Sequence, residues 1–265
     1  MPLLDIAALR AALGNLGAAF DLEALETCAS TNALLLARAD AVLAPGGRAL
    51  FLAADRQTAG RGRRGRVWIS TPEDSLTFSL AWPWRAASTH LSGLAPGLGL
   101  ALVRGLETCG FSGLGLKWPN DVLLHGHAKL AGILVELSSR SRGTVVVMGF
   151  GVNLRPPAVP ERAVAGLTSC NASLPERHTL LAALLESIAR ILDIFAARGF
   201  AAIRADWQAH HVWQDRPVRL WDAERLEAEG ICRGVDETGA LLLETSAGMK
   251  RFLVGDLSLR TGATP

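Results

Sequence analysis

A chain of 265 residues, 49% hydrophobic and 20% charged, has the composition of a folded globular protein, and its length suits one large unit plus a small one. Its formal net charge of +2 lacks the concentrated basic field that would make nucleic acid or a membrane surface the main partner. The chain also carries no secretory signal pattern and no apolar run near the roughly 20 residues that span a bilayer, and its four cysteines, at 28, 109, 170 and 232, form no CxxC pair, so reduced thiols in the cytoplasm are expected.

In chain order, a first helix is predicted from Ile6 to about Leu16, and Ser30, Thr31 or Asn32 can cap a second that carries Leu34, Leu35 and Leu36. Arg48 to Ala54 is a short apolar run that reads as a strand, and the pattern then breaks from Asp55 to Ser70. Ser75 to Trp82 alternates as a strand, whereas Leu91 to Leu106 has helical spacing. Strands are predicted at Gly115 to Trp118, Ala128 to Leu137 and Thr144 to Leu154, with Asn120 and Asp121 in a turn after the first. Thr179 to Ala197 has the strongest amphipathic helical pattern, and Phe200 to His210 adds another helix.

From about Asp215 the pattern changes to short, regularly spaced strands: VRLW, LEAEGICRGV, ALLLET, KRFLVG and LSLR. The expected architecture is therefore α+β. A mixed or antiparallel sheet flanked by helices occupies residues 1–212, and a small C-terminal β-barrel occupies 213–265.

The broken stretch, Asp55 to Arg66, holds five arginines and three glycines directly after a buried-looking strand. Glycine lets the backbone approach a ligand, and arginine forks match carboxylate and phosphate oxygens, so the loop has the makings of an anion cradle. It is not a P-loop, because GxxxxGK[ST] is absent. Read alone, it could equally be an RNA-binding segment or a solvated basic loop, although no aromatic residue interleaves the arginines of 56–66 to stack on bases.

A second cluster runs LKWPND over 116–121 and KLAGILVE over 129–136. Lys129 opens an apolar strand, a costly place for a lysine unless an anion meets it. By pattern alone the same residues could be an exposed hairpin. STN at 30–32 is by itself a helix cap, and His125 and His127, with no third ligand nearby, make a poor metal site.

In their order and spacing, STN, DRQTAGRGRRGRVW, KWPNDV, KLAGILVE and GFGVNL resemble the biotin protein ligase family. EGICRGVDETGALLLE and GDLSLR resemble that family's C-terminal SH3-like barrel, so the likeness covers nearly the whole chain from about residue 25. The resemblance implies the catalytic fold of class II aminoacyl-tRNA synthetases and biotin synthetases. The reaction it implies makes biotinyl-5'-AMP from biotin and ATP, then transfers biotin to a lysine of a biotin carboxyl carrier protein domain of a biotin-dependent carboxylase. Lipoate or octanoate ligation is the nearest alternative, disfavoured by the full arginine loop and the C-terminal barrel.

By the same resemblance, Arg61 and Arg63 would hold the biotin carboxylate and the adenylate phosphate, with Gly60 giving backbone access. Lys129 would bridge carboxylate and phosphate. Thr31, Gln57 and the backbone at Gly132 would meet the ureido head, with Ser30 and Asn32 in the same binding set, and Trp68 would cover the thioether ring. Asp121 would hold magnesium on the ATP phosphates or orient the incoming lysine amine, and Asn153 would face the nucleotide or its metal. Catalysis is thus expected from Lys129, Arg63 and Asp121. The arginine loop, from about Thr58 to Val67, is expected to be mobile when empty and to close over the adenylate. STN arrives too early for the helix-turn-helix of some members, so a monofunctional form without DNA as partner is expected, with a homodimer left open.

Overall fold

The computed structural model describes residues 1–84, 91–157, 163–170, 172–253 and 257–261. Seven strands build the larger sheet: β1 (Phe20–Cys28), β2 (Ala49–Gln57), β3 (Ser75–Trp84), β4 (Leu114–Lys117), β5 (Asp121–Leu124), β6 (Ala128–Arg140) and β7 (Gly143–Asn153). Their order is β1-β2-β3-β7-β6-β5-β4. β1 and β2 run parallel and the other neighbouring pairs are antiparallel, so the sheet is mixed, as expected.

Two of these strands differ from the sequence expectation. β1 carries Asp21, Glu23 and Glu26 and is half exposed at the sheet edge, so it has no apolar run; parallel pairing with β2 holds it. β5 opens at Asp121, which pairs with Lys117 across a tight hairpin, so Asp121 starts a strand instead of sitting in the turn. The Trp118–Pro119 peptide in that hairpin is cis.

Among the described residues six α-helices accompany the strands: α1 (Ile6–Leu13), α2 (Thr31–Ala37), α3 (Ala39–Val42), α4 (Leu94–Thr108), α5 (Arg177–Arg198) and α6 (Arg204–His210). Asp5 caps α1 by accepting from Ala7 N and Ala8 N, and α1 stops before the expected Leu16 because Gly14 takes a φ of 53°. Ser30 caps α2 through Ala33 N.

Strand alternation divides the two faces of the sheet. On β7, Val146, Met148, Phe150 and Val152 enter the main core with Leu76, Phe78 and Leu80 of β3 and the buried leucines of α4 and α5. On the opposite face, Val145 and Val147 pack with Leu35 of α2 and Ala39 and Val42 of α3. Further along that same face, β7 continues with Gly149, Gly151 and Asn153, and the helical cover ends.

The C-terminal strands are β8 (Pro217–Asp222), β9 (Arg225–Val235), β10 (Leu241–Thr245), β11 (Gly248–Phe252) and β12 (Leu257–Thr261). They form an antiparallel sheet ordered β11-β10-β9-β8-β12. The expected barrel is not closed, since β11 and β12 lie at opposite ends and do not pair among the described residues. β11 is exposed at nearly every position, so it has no apolar face with which to close the ring. The predicted strand KRFLVG and the motif GDLSLR lie in part, at residues 254–256, outside the described residues. Val218, Leu220, Cys232, Val235, Leu241, Leu243 and Leu259 of this sheet belong to the same apolar cluster as α4 and α5.

Candidate active site

The floor of the main cleft is a part of the larger sheet with little side-chain bulk. Gly151 of β7 pairs with Thr77 of β3 on one side and Gly132 of β6 on the other, and Gly149 pairs with Ser79 and Leu134. These glycines permit close approach. A Cβ at Gly149 would lie 2.3 Å from Asn32 Oδ1, and one at Gly151 would lie 2.2 Å from Trp68 Cε2. The indole of Trp68 thus lies directly over the sheet, in a cleft of about 220 Å³.

Ser30, Thr31, Asn32, Gln57, Arg61, Arg63 and Trp68 line this cleft, together with Asp121, Lys129, Gly132 and Asn153. Segments up to about 120 residues apart in sequence are therefore brought together as expected. Gly60 is the exception: it is buried beneath the loop, and its carbonyl accepts from Trp68 N at 2.9 Å. Ser30 is engaged in capping, and Asn153 Nδ2 donates to the carbonyls of Ala165 (3.1 Å) and Lys129 (3.4 Å).

The charge centre of the cleft is a carboxylate between two ammonium groups. Asp121 Oδ1 lies 2.6 Å from Lys129 Nζ, and its Oδ2 lies 3.8 Å from Lys117 Nζ. Burial alone would raise the Asp121 carboxyl, but Lys129, Lys117 and Arg63 together hold it below the usual carboxylate range. Burial pushes the Lys117 ammonium down, with Lys129, Arg66 and Arg260 adding to the effect and Asp121 opposing it. Lys117 also lies over the Trp213 ring, 5.0 Å from its centroid.

The arginine loop folds back on itself as a turn. Gly62 N donates to the Arg66 carbonyl at 2.7 Å, and Arg61 pairs with Val67 in an isolated bridge. Three of its arginines take different directions. Arg61 faces Glu136 at 3.5 Å; Arg63 donates to Asn120 Oδ1 at 2.9 Å and to the Leu257 carbonyl at 3.4 Å. Arg64, at a φ of 61°, donates to the Trp221 carbonyl of β8. Leu257, Ser258 and Leu259 of β12 complete the wall on that side.

Sequence reasoning assigned no individual role to Lys117 and Asn120 of the LKWPND cluster or to Glu136 of KLAGILVE, and did not single out Thr77 and Ser79. Lys117 was open to discovery, since it ends an apolar strand as Lys129 opens one. For Thr77 and Ser79 the signal is the polar half of the alternating strand β3, which faces the cleft. Two polar atoms here, Trp68 Nε1 and Thr77 Oγ1, are buried with no protein partner among the described residues. Such groups cost about 1–3 kcal/mol each unless a bound molecule satisfies them.

The cleft thus has a glycine floor on a mixed sheet, a rim of lysine and arginine, and a wall from the small antiparallel sheet. Residues 47–153 match the Biotin/lipoate A/B protein ligase family, and residues 215–260 match the Biotin protein ligase C terminal domain. The chain is 32% identical to a biotin--[acetyl-CoA-carboxylase] ligase of Mycobacterium tuberculosis, over 97% of this chain and 96% of that one. It is 35% identical to a bifunctional ligase/repressor of Escherichia coli, over 78% of this chain but only 65% of that relative's length. A biotin protein ligase from Aquifex aeolicus, solved in complex with biotin and ATP, superposes with a TM-score of 0.74 at 29% identity, over 91% of this chain and 99% of that one. The chain belongs to the biotin protein ligase family.

Proposed function

We propose that the protein activates biotin with ATP, releasing pyrophosphate, and transfers the biotinyl group from biotinyl-5'-AMP to a lysine of a biotin carboxyl carrier domain of a biotin-dependent carboxylase. The observation that supports this reading is a single glycine-floored cleft lined by the cations Lys129, Lys117 and Arg63, two of them on Asp121, and by the hydrogen-bonded pair Thr31 and Gln57. The first step brings two anions together, a carboxylate and the α-phosphate, which repel strongly where water is excluded. Fixed cations relieve that repulsion and stabilise charge on the phosphorus oxygens as pyrophosphate leaves. In the second step the acceptor amine attacks the acyl carbon, loses a proton and expels AMP.

The ureido head is neutral and needs matched partners once buried, which Thr31 and Gln57 supply; Trp68 covers the ring system. Asp121 is held ionised by Lys129, which supports a role in orienting the two lysines and the incoming amine. Among the described residues no group of three or more His, Cys, Asp or Glu side chains is placed to hold a metal ion. Magnesium belongs to this scheme as the counter-ion of the ATP substrate, held mainly by the phosphates, and a single protein carboxylate such as Asp121 suffices to meet it there. Residues 1–212 form the catalytic unit in this reading, and 213–265 form the C-terminal domain. The match to the C-terminal domain of biotin ligases favours biotin over lipoate. None of the described helices is long and apolar enough to cross a membrane, and the four cysteines are free, which supports a reducing compartment such as the cytoplasm.

The test is incubation with magnesium, α-labelled ATP and biotin, lipoate or no acid, followed by separation of acyl-AMP. A biotin-dependent adenylate is expected. A lipoate-dependent one would move the activity to the sister reaction, and none from either acid would overturn the proposal.

A further inference from the structure

Glu136 stands on the cleft face of β6, its side chain 27% exposed, and accepts a hydrogen bond of 2.8 Å from Asn32 Nδ2. A carboxylate can only accept, so the Asn32 amide must turn its nitrogen toward β6, where the Leu134 carbonyl also lies 3.4 Å away. Asn32 Oδ1 is thereby left facing Ser79 Oγ at 2.6 Å, and Ser79 must donate its single hydrogen to it. Thr31 Oγ1 lies 2.6 Å from Ser79 Oγ, which can now only accept, so the Thr31 hydrogen points down into the sheet. The other acceptor within its reach, Gln57 Oε1 at 3.1 Å, is farther and already takes the Thr31 backbone N–H at 2.7 Å. Thr31 therefore turns lone pairs toward the cleft. One carboxylate fixes the direction of the whole chain of hydrogen bonds.

We propose that Glu136 is a positioning residue that sets the hydrogen-bond polarity of the cleft. It fixes Thr31 as an acceptor, so that this end of the site selects a ligand presenting an N–H, such as the cyclic urea of biotin. The inference rests on the function proposed above and extends it, since it names the residue that makes the head-group end read an N–H. Arg61, 3.5 Å from the other Glu136 oxygen, is a second partner whose effect has to be separated from this one.

The separating experiment is calorimetric binding of biotin, and of biotin methylated at each ureido nitrogen in turn, to the wild type, Glu136→Gln and the double variant Asn32→Asp/Glu136→Gln. A glutamine at 136 can donate as well as accept, so the chain loses its fixed direction. Biotin affinity is expected to fall roughly fivefold to tenfold, while one methylated isomer changes little, so that discrimination between the two shrinks. In the double variant a carboxylate at 32 again accepts from Ser79, and both affinity and discrimination return. Equal losses for biotin and both methylated forms, or no recovery in the double variant, would reduce Glu136 to an anchor for Arg61 and overturn the proposal. A wild type that binds biotin normally alongside an unchanged Glu136→Gln would sink this inference alone. A wild type that binds lipoate in place of biotin would sink the functional reading, and this inference with it, because a dithiolane offers no N–H.

Discussion

Arg64 Nη2 donates to the Trp221 carbonyl at 2.9 Å, which ties the arginine loop of the larger sheet to the backbone of the C-terminal sheet. The bond leaves Arg63, its neighbour, facing Asn120 across the cleft. A hydrogen bond from a charged donor contributes about 1.5–3 kcal/mol when well formed. Arg64→Ala is therefore expected to leave the protein folded but to speed hydrogen exchange at 58–67 and the escape of acyl-adenylate into solution by about tenfold. Exchange measured by mass spectrometry and adenylate trapped on the protein check this; unchanged values in both would show that the C-terminal sheet does not hold the loop.

Lys129→Ala removes the cation nearest Asp121, 2.6 Å away, and leaves Lys117 at 3.8 Å as that carboxylate's partner. The expected loss of adenylate formation is about 10²–10³-fold, with little change in biotin KM, because the missing interaction grows in the transition state. Single-turnover kinetics, alongside circular dichroism to establish folding, make the check. A rise in KM with kcat intact would assign Lys129 to ground-state binding.

Gly149→Ala places a Cβ 2.3 Å from Asn32 Oδ1, so Asn32 has to leave its place between Ser79 and Glu136. Biotin affinity is expected to drop at least tenfold, through unpaired groups in the head-group end, while the apolar core on the other face of β7 is untouched. Titration calorimetry and a thermal melt together distinguish this from general destabilisation, which would lower the melting temperature with affinity preserved.

His211, 5% exposed and stacked on Trp207 at 4.7 Å, has its imidazole pushed by burial from 6.5 to about 4, against a smaller opposing pull from Gln214. Between those values the unfolded chain takes up a proton that the folded chain refuses. The stability contributed is thus fully present above pH 6.5 and lost as pH falls through 4, on the order of 3 kcal/mol in all. Denaturant melts between pH 7 and 4 are expected to follow this slope for the wild type and to flatten in His211→Phe. Parallel slopes for the two proteins would place the acid sensitivity elsewhere.

Much of the site could be read in the sequence because its motifs sit at strand ends and helix caps, where residue type and local geometry agree. Lys129 announced itself as a charge at the mouth of an apolar strand, and Ser30 as a cap. The Asn32–Glu136 bond joins residues 104 apart in the chain, and nothing local marks either as the other's partner. β1 was hidden for a similar reason, since the acidic residues Asp21, Glu23 and Glu26 obscure a strand that exists through its pairing with β2. The open C-terminal sheet was missed because strand periodicity does not say which edges will meet.

The apolar face of the C-terminal sheet merges with the cluster beneath α4 and α5, and Trp118 Nε1 donates across the junction to the Gly239 carbonyl at 3.1 Å. Neither sheet can be lifted away without stripping the other of its packing. Calorimetry is expected to show a single endotherm whose van't Hoff and calorimetric enthalpies agree, where loosely tethered parts would melt in two steps. A ligand held by the arginine loop would then raise the melting temperature of the whole chain, so heat stability itself becomes a reporter of occupancy in the cleft.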